Sequence, residues 1–423
     1  MPAQLAGGAE ILSRRKRLLF VCYGGGHVRM VLPVARVLAA SDAFEPVVLA
    51  LTTAAPVARR EPGLCVLQFK DFVTPQDEAA LAHGQRLLTD LPGPVDDPEE
   101  SVAYLGLSYQ DLVQMQGATD AAALYSQWGR QAFLPVPTLE RILRVVGPDM
   151  VVATNSPRAE RAAVLAARRL GLPAVCLVDL FALDEVRWIG TADYADRVCV
   201  LNAAVRDFLL QAGRRPDQVI VTGNPAFDAL ADPASVQSGR DWRRAQGWQD
   251  KQVVLWASQT EPAVHPFNGL PGDPGLPARV LEQLLAWAQA GENRVLCVRP
   301  RPGEAVPALL DHERILVTGQ DQPLTPLLHA VDLVVTLTST VGLEGHLAGA
   351  RLIQVQGSVF DEAMPFAAYG ISDASVPLVQ LVPALEGCLS LGRRRVEAPE
   401  PAAGRVAVVI REILDASLRR DFL

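Results

Sequence analysis

Asp332-Leu-Val-Val-Thr-Leu-Thr-Ser-Thr-Val-Gly-Leu-Glu344 carries the pattern around which the chain is organised. The apolar run Leu333 to Leu337 reads as a buried strand, the hydroxyl residues as a turn, and Thr340 onward as the first turn of a helix. Such a turn aims unpaired backbone N–H groups, the Ser339 and Thr340 hydroxyls and the positive end of a helix dipole at one point. That suits a phosphate or diphosphate. Glu344 follows one helical turn after Thr340 on the same face, where a carboxylate can accept hydrogen bonds from a ribose. Hydroxyl residues also cap helices routinely, so capping alone is an equal reading of the stretch.

Strand and helix alternate on both sides of it. Upstream, Gln252 to Ala257, Arg294 to Val298 and Ile315 to Thr318 read as strands, with helices over 278–290 and 324–331. Downstream, Arg351 to Gln356 is a further strand. The first half repeats the alternation: strands at Leu18 to Cys22, Pro46 to Leu51, Cys65 to Phe69, Asp149 to Ala153, Ala174 to Val178, Arg197 to Leu201 and Gln218 to Thr222. Helical spacing covers Val28 to Leu38 and Arg158 to Leu170. This is the signature of parallel α/β sheets. Residues of about 72–140 differ. They are helical in pattern and broken at Leu91-Pro-Gly-Pro94 and Pro135-Val-Pro137. Such an excursion reads equally as the lining of a substrate cleft or as a helical cap adding core. Gly223-Asn-Pro225 and Asp232-Pro233 mark a boundary. The expected organisation is an N-terminal Rossmann-like, acceptor-side domain over 1–230, a nucleotide-sugar-binding domain over 231–402, and a terminal helix over 403–423 packing back on the first. Residues before about 16 read as a loose tail.

Bulk properties narrow the class. The 423 residues are 49% hydrophobic and 20% charged, an ordinary globular balance, and the formal charge of −8 argues against nucleic acid as a partner. No apolar run approaches the ~18 residues of a membrane helix. Arg14 to Arg17 before Leu18 to Cys22 imitates a signal peptide, but the apolar stretch is too short and runs into glycines. The six cysteines show no C-x-x-C spacing and read as buried thiols in a reducing compartment. A cytoplasmic chain is the expectation. Peripheral membrane contact and oligomeric state stay open.

In open parallel sheets ligands gather beyond the C-terminal strand ends. There the second half offers Ser258, Gln259 and Thr260, then Arg299 and Arg301, then Ser339, Thr340, Gly342 and Glu344. Arg299 suits a phosphate as well as an ordinary surface pair. The first half offers Tyr23-Gly-Gly-Gly-His27. Gly25 and Gly26 allow close backbone approach, and an imidazole suits general-base work on a hydroxyl, although a histidine capping the helix fits the spacing equally. The glycines do not fit G-x-G-x-x-G, so a nicotinamide or flavin site is disfavoured. His83, His265, His312 and His329 lack metal-ligand spacing, and His346 reads as structural. No Asp-x-Asp triplet and no G-x-x-x-x-G-K-[ST] occurs, so neither a metal-bridged diphosphate nor a P-loop is expected.

These residues carry a resemblance. Gly-Gly-Gly-His27 with Leu32-Pro33, together with Ser339-Thr-Val-Gly-Leu-Glu344 and Gly349, resembles the GT-B glycosyltransferases, specifically the group containing the undecaprenyl-linked N-acetylglucosaminyltransferase of peptidoglycan synthesis. Asp149-Met-Val-Val, Val221-Thr-Gly-Asn-Pro225 and Asp228 are similar to segments of lipid-A-disaccharide synthase and UDP-N-acetylglucosamine 2-epimerase. The resemblance implies two doubly wound Rossmann-like domains facing across a cleft, His27 as base, Glu344 on the donor ribose, and Asp361 and Glu362 near the donor sugar, where many members carry an Asp-Gln pair. The epimerase's Gly-Thr-Arg-Pro-Glu start and the lipid-A synthase's Gly-Glu-Ala-Ser-Gly-Asp are both absent. The expected activity is a metal-independent glycosyltransferase with a UDP-type sugar donor as co-substrate, no cofactor, a hydroxyl acceptor of unread identity, and inversion at the anomeric carbon. A nucleotide-sugar epimerase or hydrolase, and a non-catalytic binding protein of the same fold, are the alternatives.

Overall fold

The structure is a computed structural model that describes residues 14–91, 95–266, 268–301, 304, 313–319, 321–395 and 400–421. The N-terminal tail up to residue 13, the break at 92–94 and His312 lie outside the described residues. The chain divides into two compact units, Met1–Ala226 with Ala403–Leu423, and Phe227–Ala402.

The first unit carries β1 (Lys16–Tyr23), β2 (Phe44–Leu51), β3 (Cys65–Leu67), β4 (Met150–Thr154), β5 (Ala174–Leu177), β6 (Arg197–Val200) and β7 (Val219–Val221). Its helices are α1 (Gly24–Ala39), α2 (Ala54–Ala58), α3 (Glu78–Thr89), α4 (Pro98–Gln116), α5 (Ala118–Trp128), α6 (Val136–Val146), α7 (Ala159–Arg169), α8 (Val186–Ile189) and α9 (Ala203–Gln211). The strands are parallel, in the order β3-β2-β1-β4-β5-β6-β7. The chain therefore runs outward from β1 to β3 and returns to the other side of β1 at β4. In a doubly wound sheet that reversal opens a crevice at the C-terminal ends of the two strands.

The burial pattern explains why β1 is an unbroken apolar run. Leu18 to Cys22 are all 0% exposed. Leu18, Phe20 and Cys22 share one core with Val28, Val31, Val34 and Leu38 of α1, while α7 packs on β1 and β4. Its Ala162, Ala163, Ala166 and Ala167 have no exposed surface, so small side chains bring that helix close to the sheet. A strand covered on both faces has no polar side to alternate with. Each large apolar side chain so buried contributes roughly 1.5–3 kcal/mol.

The second unit carries α10 (Pro233–Ala245), β8 (Gln252–Ala257), α11 (Leu276–Gln289), β9 (Arg294–Arg299), β10 (Ile315–Val317), α12 (Leu324–Ala330), β11 (Leu333–Thr336), α13 (Thr340–Leu347), β12 (Arg351–Val355), β13 (Ala374–Val376) and α14 (Leu381–Ser390). Its sheet is parallel, in the order β10-β9-β8-β11-β12-β13, and reverses between β8 and β11. The last helix, α15 (Ala402–Asp421), places Val406, Ala407 and Ile410 in the core of the first unit.

One aspartate device recurs where strands begin. The backbone N–H of Asp149 donates to Arg17 O at 2.7 Å, and the Arg17 N–H donates back to Asp149 Oδ2 at 2.8 Å. Asp332 makes the same two-way pair with Val253, Asp196 with Ala174, and Asp373 with Leu352, each amide-to-carboxylate bond being 2.8 Å. Each carboxylate satisfies an amide at the start of a neighbouring strand, which the ladder leaves unpaired. Asp149 and Asp332 thus sit at the strand starts, away from the ends where ligands bind.

The region of about 72–140 forms α3 to α6. Asp97 caps α4, accepting from the Glu100 N–H at 3.1 Å, with Pro98 in the first helical position. Helices α3 and α4 cross at two glycines. A Cβ on Gly84 would lie 2.0 Å from Val102 O, and one on Gly106 2.1 Å from Ala80 O.

Two sequence expectations change, and two further elements emerge. Helix α1 begins at Gly24, before the apolar spacing starts, so the three glycines form its first turn and Tyr23 is the N-cap. Strand β13 and helix α14 carry too little pattern to be read in advance. Cys65 is exposed while the other five cysteines are buried, and all six are free.

Candidate functional site

In the first unit, polar side chains meet at the ends of β1 and β4. His27, half-buried in the first turns of α1, has its Nδ1 2.5 Å from Thr154 Oγ1 at the end of β4. The Thr154 hydroxyl donates to Glu160 Oε1 at 3.5 Å. Thr154 and Glu160 are both 0% exposed. Burial pushes the Glu160 carboxyl up, opposed by His27, its own backbone amide, Arg158 and the Ser156 hydroxyl. Gly25 and Gly26 are exposed, and nothing lies within 4 Å of where their Cβ atoms would be, which leaves the start of α1 open to an approaching group. Beside them the Arg158 guanidinium stacks 4.5 Å from the centre of the Tyr23 ring, and Arg130 Nη1 donates to Tyr23 Oη at 3.3 Å. At the next strand ends Asn155 and Asp179 bond each other in both directions, and Asn224 Nδ2 donates to Asp179 O.

In the second unit, the ends of β8, β9 and β11 bring together most of the residues singled out from the sequence. Ser339 is the N-cap of α13, its Oγ accepting from the Val341 N–H at 3.3 Å. Thr340 is exposed at the first helical position. Gln259 Nε2 donates to Thr338 Oγ1 at 2.9 Å, and the Thr338 N–H donates to Gln259 Oε1 at 2.8 Å. Ser258 Oγ donates to Glu304 at 2.6 Å, and Arg301 Nη1 donates to Thr260 Oγ1 at 3.3 Å. Arg299 donates to Gln322 O at 3.1 Å. Burial lowers its pKa, and the charges of Glu344 and Asp321 oppose that, so the guanidinium, Glu344 and the α13 start lie in one electrostatic neighbourhood.

Two expectations are corrected here. Gly342 is buried, and a Cβ there would meet Thr336 and Leu352 at 2.8 and 2.9 Å; its amide bonds Ser339 O. Its role is close packing of α13 on the sheet, so it offers no N–H to a diphosphate. Asp361 accepts the Gly357 N–H at 2.7 Å and so pins its own loop, whereas Glu362 is exposed. The Asp361 Oδ1 is left buried without a hydrogen-bond partner. That loop is held from β8 as well. Glu261, 5% exposed, accepts from the Ser358 hydroxyl at 2.8 Å and the Val359 N–H at 2.7 Å. His346 is structural, bonded to Arg394 and lowered to about 4 by burial and that cation.

Sequence reasoning missed Thr154, Glu160, Thr338 and Glu261. Thr154 and Thr338 each close an apolar strand, a readable signal. Glu160 in an alanine-rich helix and Glu261 in a loop look like solvated charges, and only tertiary structure buries them. Among the described residues no group of three His, Cys, Asp or Glu side chains is placed to hold a metal ion, and no helix is long and apolar enough to cross a membrane.

No family model matches the chain. It is 31% identical over 125 residues to the uncharacterized lipoprotein YjbF of Escherichia coli K12, a match over 28% of this chain that spans 55% of the length of that curated relative. Among solved structures, it is similar to a putative UDP-N-acetylglucosamine 2-epimerase from Listeria monocytogenes, at 15% identity and TM-score 0.58 over 95% of this chain and 97% of that one. The UDP-GlcNAc 2-epimerase from Neisseria meningitidis, bound to UDP-GlcNAc, matches at 14% identity and TM-score 0.55 over 94% and 99%. The glycotransferase of kitacinnamycin matches at 14% and 0.50 over 95% and 96%. At these identities the likeness establishes the fold. The chain has the GT-B architecture of two Rossmann-like domains, the group its motifs resemble.

Proposed function

We propose that the protein is a metal-independent glycosyltransferase that moves a sugar from a UDP-type donor to a hydroxyl acceptor. The observation that carries this reading is the convergence at the start of α13: the Ser339 cap, exposed Thr340, the Arg299 guanidinium and Glu344 one helical turn on. Diphosphate oxygens would take the helix N–H groups and Arg299, and the ribose would take Glu344. Gln259 and Ser258 line the neighbouring strand end. Glu362, exposed beside the loop that Asp361 pins, supplies a carboxylate for the sugar hydroxyls.

His27 removes the proton of the acceptor hydroxyl. The oxygen forms its bond to the anomeric carbon as the bond to the diphosphate breaks, with inversion, and that electron pair leaves on the diphosphate. Arg299 and the α13 dipole stabilise the departing charge, the service a divalent ion gives in metal-dependent transferases. No cofactor takes part.

The named epimerases among the structural neighbours support a second reading, a nucleotide-sugar epimerase or hydrolase. Incubation with UDP-N-acetylglucosamine and no acceptor separates the two. A transferase leaves almost all the donor intact, whereas an epimerase or hydrolase converts it. Replacing His27 by Ala is expected to lower transfer by about 10²–10⁴-fold while nucleotide binding persists. Turnover within a few-fold of wild type would contradict the role of His27.

A further inference from the structure

We propose that Glu160 is a positioning residue for His27, acting through the Thr154 hydroxyl to hold the imidazole as its Nδ1–H tautomer with Nε2 left as the base. The proposal rests on the reading of His27 as the base, and its own content is the hydrogen-bond chain behind that base. A threonine hydroxyl has one proton to give. Thr154 gives it to Glu160 Oε1 at 3.5 Å, so toward His27 Nδ1, 2.5 Å away, it can only accept. The ring hydrogen then sits on Nδ1 and the lone pair on Nε2, which is the state a general base needs.

Glu160 is only partly satisfied. It has no exposed surface, and its Oε2 has no hydrogen-bond partner. A buried carboxylate left partly unsatisfied is unfavourable unless it answers a charge. The groups that act on it come from several elements: His27 on α1, the Ser156 hydroxyl after β4, Arg158 and its own amide at the start of α7, the Cys22 thiol on β1, Tyr104 on α4, and Tyr194. Burial pushes the thiol and both phenols up, so they stay neutral, and the cations facing Glu160 are Arg158 and a protonated His27. When His27 takes the acceptor's proton on Nε2, the new imidazolium faces a carboxylate through one hydroxyl. Thr154 keeps its own proton throughout, and no further bond forms or breaks. The competing role, a carboxylate capping the start of α7, leaves the His27 tautomer indifferent to residue 160.

That difference is the test. Long-range proton–nitrogen NMR on the full chain labelled with ¹⁵N-histidine, at about pH 8.5 where an ordinary imidazole is neutral, reports which ring nitrogen of His27 carries the hydrogen. His27→Ala identifies the signals. The expected result is the Nδ1–H form in the wild type and about a tenfold change of the tautomer ratio toward Nε2–H in both Thr154→Val and Glu160→Leu, which leaves the Thr154 hydroxyl no acceptor there, the worth of about one hydrogen bond. Thr154→Ser restores the wild-type pattern. If Glu160→Leu does not fold, Glu160→Asp, whose carboxylate is drawn back by one methylene, is expected to shift the ratio in the same direction. An Nε2–H wild type, or an Nδ1–H form that survives the Thr154 and Glu160 changes, overturns the proposal. The readout needs no turnover. The expected tautomers with an active His27→Ala variant sink the base assignment alone, and unmoved tautomers with an inactive variant sink the positioning role alone.

Discussion

Gln259 and Thr338 hold each other twice across the ends of β8 and β11, through the Thr338 N–H to Gln259 Oε1 at 2.8 Å and Gln259 Nε2 to Thr338 Oγ1 at 2.9 Å. The pair spans the point where the second sheet reverses and lies immediately before the Ser339 cap, so it fixes where α13 starts. In the first unit His27 and Thr154 join β1's helix to β4 at the corresponding reversal. Each doubly wound sheet thus ties its crevice with one side-chain link ending on a threonine.

Cutting the second link tests what it positions. Gln259→Ala is expected to weaken UDP binding about tenfold and to lower stability by about 1–2 kcal/mol, read by titration calorimetry and urea melts. Lost stability with unchanged UDP affinity would make the pair a structural tie only.

The aspartate pairs at the strand starts predict stability losses without loss of binding. Asp149→Ala and Asp332→Ala each strand a backbone amide and remove the carboxylate paired with Lys16 or Arg243, and each is expected to cost about 1–3 kcal/mol. The measurement is the shift in urea midpoint at constant slope. A fall in UDP affinity at full stability would place these carboxylates in the ligand site.

At the α3–α4 crossing, Gly106→Ala drives a methyl into the Ala80 carbonyl. Overpacking of this kind costs about 1–3 kcal/mol. Thermal unfolding that matches the wild type would show that the helices separate freely.

Glu100 gives the protein a pH dependence. Its side chain has no exposed surface, Oε2 accepts the Lys70 N–H at 3.0 Å, and Oε1 has no partner. Burial raises its pKa to about 7 against the pull of the Lys70 and Phe69 amides. A carboxyl raised on folding binds its proton more tightly in the native state, so its contribution is full below the unfolded value and is lost as pH rises through 7. Stability is therefore expected to fall between about pH 4.5 and 7, by on the order of 3 kcal/mol, and Glu100→Gln is expected to flatten that slope. Parallel stability curves for the two proteins would contradict the assignment.

The two-sheet organisation was legible because β1, β4, β8 and β11 are covered on both faces and so show unbroken apolar runs. Three-residue β13, partly exposed at a sheet edge, leaves no such trace. Among the candidate site residues, Ser339, Arg299, Gln259 and His27 stand out in the sequence because each ends a strand or opens a helix, positions that a periodic sequence marks. Glu160 and Glu261 were not found, because nothing local distinguishes a buried carboxylate from a solvated one. Gly342 misled for a related reason: its place in the turn suggested an open amide, while its packing against Thr336 and Leu352 is set by strands nearby only in space.

The central claim is that the start of α13, with Arg299 and Glu344, takes the diphosphate and ribose of a UDP-type donor without a metal ion. Thermal unfolding with increasing UDP in EDTA tests it most directly. UDP at 100 times its dissociation constant is expected to stabilise the protein by about 2.7 kcal/mol, with the effect lost in Arg299→Ala. No stabilisation by UDP, or stabilisation only when a divalent ion is restored, would contradict it.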